Sequence, residues 1–453
     1  MARSLRPFPD LPPTLPPHLK FVLGLSPSAM TLGLGNVRAL MDRLDHPERR
    51  FRSILVAGTN GKGSTTTLLA SILTHQGLRT GRYISPHVFS VVERIAIDGE
   101  FISLEDMEAA AARIGPLRDE IPYSYFEALT AIAFLIFAAR GVDIAVLEVG
   151  LGGRFDATNV VEPEASVITS ISLDHRRILG DTEEEILREK LGVARPGVPL
   201  LTGALAPGLM SIVRERGARV GFPVLDPDAL GTARVESETL GAVDVTLRTR
   251  TADYGRVRVP FGGRHQAVNA LLAIGAAERV LPRLDRVREA IEHAFIPGRF
   301  QCIARGARTF VLDVAHNDEA LRATAEHLAA FEPRDECALV FGLLRRKELF
   351  EAPAALLRAA STICLVEPEA EPGSSDTAFA PHELLARFFA PLLPNAATNV
   401  MLWNRRDVHD DPLARLVRWL DADGGAHRVV LATGSHRVVQ EFGRRIWDGT
   451  TRA

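Results

Sequence analysis

Seven consecutive residues, Gly58-Thr59-Asn60-Gly61-Lys62-Gly63-Ser64, combine three glycines, one lysine and two hydroxyls. Glycines let backbone N–H groups close around phosphate oxygens, and a helix starting at such a loop adds a favourable dipole. Lys62 supplies a cation for the β- and γ-phosphates of a nucleotide, and Ser64 a hydroxyl for Mg²⁺. The stretch follows an apolar run at 53–57 and precedes a helical pattern at 64–75, the strand–loop–helix context that a phosphate loop requires. Gly63 separates the lysine from the hydroxyl, a departure from the generic GxxxxGK[ST] form. A bare glycine turn is the competing reading.

Glu148 ends a second apolar run, 143–148, and His175 follows a third, 166–171. Ligands of open α/β sheets bind at the carboxyl ends of strands. A carboxylate there suits a hard divalent cation beside phosphate, while a strand-end acid in water is the plainer alternative. A lone histidine is more often structural than a ligand.

Only four of the 53 basic residues are lysine: Lys20, Lys62, Lys190 and Lys347. Arginine serves elsewhere, which marks these four as places where a guanidinium cannot substitute. Lys190 lies in a helix behind Glu183, Glu184, Glu185 and Glu189, so a solvated salt-bridging role competes with a chemical one. An amine reacts with CO₂ to give a carbamate, a negative metal ligand; a guanidinium does not.

The elements that position these residues alternate between short strands and helices. A buried helix is expected at 124–139. Thr182 and Glu185 form a capping box for a helix through Lys190, and Ser103 with Asp106 caps another. Residues 225–262 read as a small β region, with helices at 265–280 and 284–294. Beyond Pro297-Gly298 a second series begins: strands at 310–314, 338–342, 362–366, 399–403 and 428–432, and helices at 318–331, 348–360, 381–392, 411–421 and 435–446. Alternation in both halves predicts α/β with mainly parallel sheets. The expected organisation is a proline-rich leader at 1–20, an ATP-binding domain at 21–296, a hinge at 297–300 and a C-terminal α/β domain at 301–453.

The chain has 453 residues, 46% hydrophobic and 24% charged, with net charge −3. This excludes global disorder and argues against nucleic-acid binding through bulk charge. Three cysteines, Cys302, Cys337 and Cys364, form no metal-ligand spacing and fit a reducing compartment. The apolar run at 128–139 is too short to span a bilayer, and no signal-peptide pattern is read, so a cytoplasmic protein without membrane partners is expected.

Taken in order, Leu32-Gly-Leu-Gly35, the phosphate loop, Ser85-Pro-His87, Tyr125-Phe-Glu127, Leu147-Glu-Val-Gly-Leu-Gly-Gly-Arg154 with Asp156-Ala-Thr-Asn159, Leu173-Asp-His175, Glu189-Lys190, His265-Gln266 with Asn269, Pro297-Gly-Arg299 and Asp313-Val-Ala-His-Asn317 resemble the folate branch of the Mur ligase superfamily. The resemblance runs from about Leu32 to the last helix. It implies a P-loop ATPase domain with a central, mostly parallel sheet and a small β region, followed by a Rossmann-like C-terminal domain.

The resemblance also implies roles. Ser64, Ser85, Glu148, His175 and carbamylated Lys190 would ligate magnesium. Asn269 would lie near the nucleotide, Arg299 on phosphate, Asp313 on the ribose, and His316 close by as a candidate proton acceptor. Thr31, Leu32, Phe126, Phe155 and Asp156 match pterin-contacting positions, with Phe126 set to stack on the ring and Asp156 to bond its polar edge, although Phe126 is equally suited to core packing. Thr31, Phe155 and Arg346 depart from the common residues at their positions, and the first two bear on pterin selectivity.

The expected reaction is ATP-dependent addition of L-glutamate to dihydropteroate, to the γ-carboxylate of tetrahydrofolate, or to both, through an acyl phosphate. ATP and two Mg²⁺ ions are the implied cofactors, with K⁺ a further candidate. The substrates are small molecules and the expected state is a monomer. Another amino-acid ligase of the superfamily and a non-ligase P-loop ATPase stand as alternatives.

Overall fold

The computed structural model describes residues 15–26, 33–369, 377–393, 398–404, 410–422 and 427–448. Two open α/β sheets and a small antiparallel sheet organise the chain. The first contains β1 (Arg52–Ala57), β2 (Thr80–Tyr83), β3 (Ile95–Ile97), β4 (Glu100–Phe101), β5 (Ile144–Glu148), β6 (Ala165–Ile168), β7 (Leu200–Thr202) and β8 (Val224–Leu225). Their spatial order is β4-β3-β2-β5-β1-β6-β7-β8, parallel apart from the β3–β4 edge. β9 (Gly231–Thr239), β10 (Ala242–Thr249) and β11 (Asp253–Val259) form the antiparallel sheet expected within 225–262.

The second large sheet contains β12 (Gln301–Arg305), β13 (Arg308–Leu312), β14 (Cys337–Phe341), β15 (Thr362–Val366), β16 (Asn399–Trp403) and β17 (Val429–Thr433) in the order β12-β13-β17-β14-β15-β16. The five parallel strands match the expected series. The antiparallel edge strand β12 is additional. The helix expected at 381–392 is an α-turn, Pro381–Leu384, continued by a π-turn, Leu385–Phe389. The one expected at 284–294 is confined to Val287–Glu292.

The expected leader ends earlier than residue 20. Pro17–Leu23 is a helix with proline in its first turn, and Leu19 and Val22 are buried in the first core. Glu108 accepts from the Leu19 backbone N–H at 2.8 Å, satisfying a donor the helix leaves free. Proline is compatible with a first helical turn, so a Pro-rich stretch can open a helix.

Register brings the chemistry-bearing ends together. Val56 of β1 sits beside Glu148 of β5, Ala57 beside Ile168 of β6, and Tyr83 of β2 beside Leu147. The loops starting at Gly58, Ile84, Val149 and Thr169 therefore leave one edge of the sheet. The helix after the phosphate loop, Lys62–His75, is buried along most of its length and packs on Gln266–Val280. Leu68, Leu69, Ile72 and Leu73 are fully buried there, each contributing roughly 1.5–3 kcal/mol. The segment after Ser85 crosses to the second sheet: Val88 and Phe89 belong to its core, and the Phe89 carbonyl accepts from Arg444 at 2.8 Å.

Candidate active site

Gly58 and Gly61 take φ of +144° and +85°, conformations that exclude most side chains. A Cβ on Gly61 would approach Asn269 Oδ1 to 2.7 Å. Asn269 is buried on the partner helix and donates to Gln266 Oε1 at 2.9 Å. The loop and Asn269 are thus one packed unit. Gly63 serves a second contact: a Cβ there would lie 3.3 Å from Arg299 and 3.4 Å from Glu148. The glycine between lysine and hydroxyl accommodates these two side chains at the loop.

Lys62 donates to the carbonyls of Gly58 at 3.0 Å and Thr59 at 2.9 Å. Burial lowers its pKa, while the nearby Glu148 carboxylate opposes that shift. Lys190, five per cent exposed, donates to the same Gly58 carbonyl at 2.8 Å. Burial first, and the Lys62 charge second, push the Lys190 amine down to about 7. The capping box between Thr182 and Glu185 is present and starts the helix that carries it. The amine is aimed into the phosphate loop, so the solvated salt-bridging role does not hold.

Glu148 is buried at the end of β5 and accepts from the Ser85 N–H at 3.0 Å. Burial raises its pKa, against the charge of Lys62. A buried carboxylate in this condition calls for a cation. By their chemistry, its oxygens, the hydroxyls of Ser64 and Ser85 and the imidazole of His175 are donors of the kind a divalent ion takes. His175 is neutral because burial, and then Lys347, push its pKa down to about 3.

Residues of the second sheet close over this edge. Asn60 of the phosphate loop donates to Glu319 at 2.7 Å and accepts from Asn317 at 2.9 Å. Asn317 also donates to Asp174 at 3.1 Å, and Lys347 donates to Asp174 at 2.6 Å. Asp174 and Lys347 are both nearly fully buried. Burial works against the Asp174 charge, yet the Lys347 ammonium holds its pKa well below the usual carboxylate range. His316 Nδ1 faces the Val314 carbonyl at 2.8 Å, and a carbonyl only accepts, so Nδ1 carries the proton. Nε2 is left with its lone pair, 3.7 Å from Asp174. Burial and the Lys347 charge push His316 to about 3, which keeps it neutral. Asp313 accepts from Phe300 N–H, Ala315 N–H and Thr324 Oγ1, fixing the turn after Arg299.

The pterin-matching positions divide. Thr31 and Leu32 lie outside the described residues. Phe126 is partly buried beside Tyr83, with ring centroids 6.0 Å apart, and its edge covers Gly150. Phe155 is 42% exposed, with the Arg154 guanidinium 5.0 Å above its ring. Asp156 is buried, and its oxygens accept from Leu151 N–H, Thr158 N–H and Thr158 Oγ1. Those bonds fix Asp156 against the loop at 150–158 and leave its carboxylate further acceptor capacity.

Asp174 and Lys347 were not singled out as an interacting pair from sequence. Lys347 did carry a signal, as one of four lysines, and Asp174 lay inside the Leu173-Asp-His175 motif.

Residues 56–277 match the Mur ligase middle domain, and residues 298–436 the Mur ligase glutamate ligase domain. A Bacillus subtilis (strain 168) protein named dihydrofolate synthase/folylpolyglutamate synthase is 32% identical over 95% of this chain and 97% of its own length. A Haloferax volcanii protein named probable bifunctional folylpolyglutamate synthase/dihydropteroate synthase is 37% identical over 76% of this chain, and the matched region spans 42% of that relative's length. Among solved structures, E. coli FolC in complex with DHPP and ADP shares 27% identity with a TM-score of 0.82, covering 98% of this chain and 100% of that one. No helix among the described residues is long and apolar enough to cross a membrane. Together with the phosphate loop, the buried lysines and the two sheets, these likenesses place the chain in the dihydrofolate synthase/folylpolyglutamate synthase family of Mur ligases.

Proposed function

We propose that this protein is an ATP-dependent ligase that joins L-glutamate to a pteroate or folate carboxylate, making dihydrofolate from dihydropteroate and extending the glutamate tail of tetrahydrofolate. The observation that carries this reading is the convergence of Lys62 and Lys190 on the phosphate loop, beside Glu148 and within reach of Arg299. Such a site neutralises a transferring phosphoryl group and leaves the protein mainly the work of positioning.

In this reading Gly58, Thr59, Asn60, Gly61, Lys62, Gly63 and Ser64 hold the phosphates of ATP. Asn269 sits against the nucleotide. Arg299 reaches the phosphates from a hinge at 297–300 between domains at 21–296 and 301–453. Asp313 contacts the ribose edge through the turn it fixes. Ser64, Ser85, Glu148, His175 and carbamylated Lys190 would hold two Mg²⁺ ions, which would supply charge neutralisation to the phosphates. His316, with Nδ1 held by the Val314 carbonyl and the lone pair on Nε2, is the candidate acceptor for the proton released when the glutamate amine attacks the acyl phosphate and phosphate leaves. Phe126 and Phe155 offer apolar surface to the pterin, and Asp156, Thr31 and Leu32 are the further candidate contacts by their match to pterin-contacting positions. The protein acts as a cytoplasmic monomer on small-molecule substrates, with K⁺ as a further candidate cofactor.

The test is phosphate release by the purified protein with ATP, Mg²⁺ and L-glutamate, given either dihydropteroate or tetrahydrofolate, with products identified by mass. A one-glutamate gain on both acceptors is expected. Gain on one alone would reduce the activity to that half, and release with neither would overturn the reading.

A further inference from the structure

Away from the phosphate loop, the far end of its helix carries a second constellation. His75 is the last residue of Lys62–His75, and Glu289 and His293 lie on and just after the helix Val287–Glu292. One ligand atom from each of the three meets the others within 4.8 Å, the one such group of histidine, cysteine and acidic side chains among the described residues. Glu289 and His293 are four residues apart, which puts them on one helical face.

The surroundings are built to present these atoms. His75 Nδ1 faces the Ser71 carbonyl at 2.8 Å, and His293 Nδ1 faces the Glu289 carbonyl at 2.7 Å. A carbonyl only accepts, so each Nδ1 is protonated and each Nε2 keeps its lone pair. That tautomer, fixed by a backbone carbonyl, is the one in which a histidine ligates a metal through Nε2. The rings lie 5.9 Å apart. Arg286 grips both oxygens of Glu289, at 2.8 and 2.6 Å, and holds the carboxylate in place while leaving each oxygen a further lone pair. The two segments are already joined: Ser71 Oγ donates to the Ala290 carbonyl at 2.6 Å, and Asp285 N–H donates to Gln76 at 2.7 Å.

We propose that His75, Glu289 and His293 form a binding site for a zinc-class divalent ion, separate from the magnesium donors of the phosphate loop. Two imidazoles and one carboxylate suit zinc, copper or nickel far better than magnesium. Zinc ligands lie about 2.0–2.2 Å from the ion and so roughly 3.3 Å from each other, which a small inward turn of exposed His293 towards half-buried His75 and Glu289 achieves. Water fills the fourth position. The bound ion ties the end of the phosphate-loop helix to the segment that runs six residues further to Arg299.

The site is tested on the full chain with ADP and Mg²⁺ saturating. Zn²⁺ is titrated in competition with a chromogenic chelator, and thermal unfolding is followed with and without Zn²⁺. The wild-type protein and His175→Ala are both expected to take up one Zn²⁺ per chain. His75→Ala and His293→Ala are expected to bind at least tenfold more weakly. A hundredfold excess over Kd should raise Tm by about 5 °C in the wild type and leave the two variants unmoved. Unfolding of His293→Ala without metal shows whether that exposed substitution spares the fold. Equal Zn²⁺ affinity in all four proteins, or loss in His175→Ala alone, would overturn the proposal. Neither result depends on ligase activity, so this test stands or falls apart from the assigned reaction.

Discussion

Lys62 and Lys190 donate to one and the same carbonyl oxygen, that of Gly58, at 3.0 and 2.8 Å. Two ammonium groups on one acceptor repel each other, and the deeper of them, Lys190, is brought down to about 7. Above that pH its amine is neutral and able to add CO₂. Arginine keeps the positive charge and cannot form the carbamate. Lys190→Arg should therefore lower kcat by more than about 100-fold, the scale at which loss of a charge-stabilising group is felt. Added bicarbonate should raise wild-type activity more at pH 8 than at pH 6, and ¹³C-bicarbonate should yield a carbamate resonance that Lys190→Arg lacks. Turnover that survives the substitution would rule the carbamate out.

Gly61 and Gly63 are constrained by different neighbours, and their alanine variants should fail differently. At Gly61 the backbone is left-handed and a Cβ would press on Asn269 at 2.7 Å. Gly61→Ala should destabilise the protein by about 1–2 kcal/mol and weaken ATP binding. Gly63 has an ordinary helical backbone, and its Cβ would meet Ile296, Arg299 and Glu148 at 3.1–3.4 Å. Gly63→Ala should keep Tm within about 2 °C and raise the KM for ATP, because it displaces the side chains at the loop. Thermal unfolding and initial rates over a range of ATP concentrations separate the two outcomes. Parallel losses in both would show that the Gly63 contact has no specific part.

The strands and helices that carry the phosphate loop, Glu148 and Lys190 were legible because each rests on a local signal: an apolar run, a glycine loop, a capping box. The missing pieces depend on distant partners. Asp174 and Lys347 are 173 positions apart, and only the docking of the two sheets makes them a pair. β12 was not visible because a five-residue edge strand with Cys302 and Ala304 facing out has no apolar run to announce it. Pro17–Leu23 was hidden by the proline-rich stretch that leads into it, and only the packing of Leu19 and the bond to Glu108 reveal it. The bonds that Asp156 accepts within its own loop were not legible, since a carboxylate in a glycine-rich loop gives no sign of which N–H groups will reach it.

Two ion pairs bridge the sheets side by side, and they should differ in weight. Asp174–Lys347 is buried and 2.6 Å long; Arg176–Glu348, at 2.8 Å, is exposed. Removing one partner of a buried pair strands a charge and costs about 3–5 kcal/mol, while an exposed pair contributes about 0–1 kcal/mol. Lys347→Met should therefore lower Tm by several degrees and kcat/KM for glutamate by more than tenfold, and Glu348→Gln should move Tm by no more than about 2 °C and kcat/KM by no more than about twofold. The double variant Asp174→Asn/Lys347→Met should recover part of the loss, since no buried charge is left without a partner. Additive losses in the double variant would mean that the two residues act separately.

Glu441, on the last helix, carries a pH dependence unrelated to catalysis. Burial pushes its carboxyl up to about 7, although the Glu369 N–H at 2.7 Å and Arg445 pull the other way. A carboxyl raised in the folded state binds a proton that the unfolded chain has already lost. The native state thus has its full stability below the ordinary carboxylate pKa of about 4.5 and loses stability as the pH climbs towards 7. Glutamine keeps the acceptor for Glu369 and never ionises. Glu441→Gln should be near neutral at pH 4.5 and more stable than wild type by about 2 kcal/mol at pH 8, at 1.4 kcal/mol per pKa unit with allowance for partial exposure. Urea unfolding at the two pH values measures the difference. An equal effect at both would mean that folding leaves the Glu441 carboxyl unshifted, with Arg445 and the Glu369 N–H offsetting its burial.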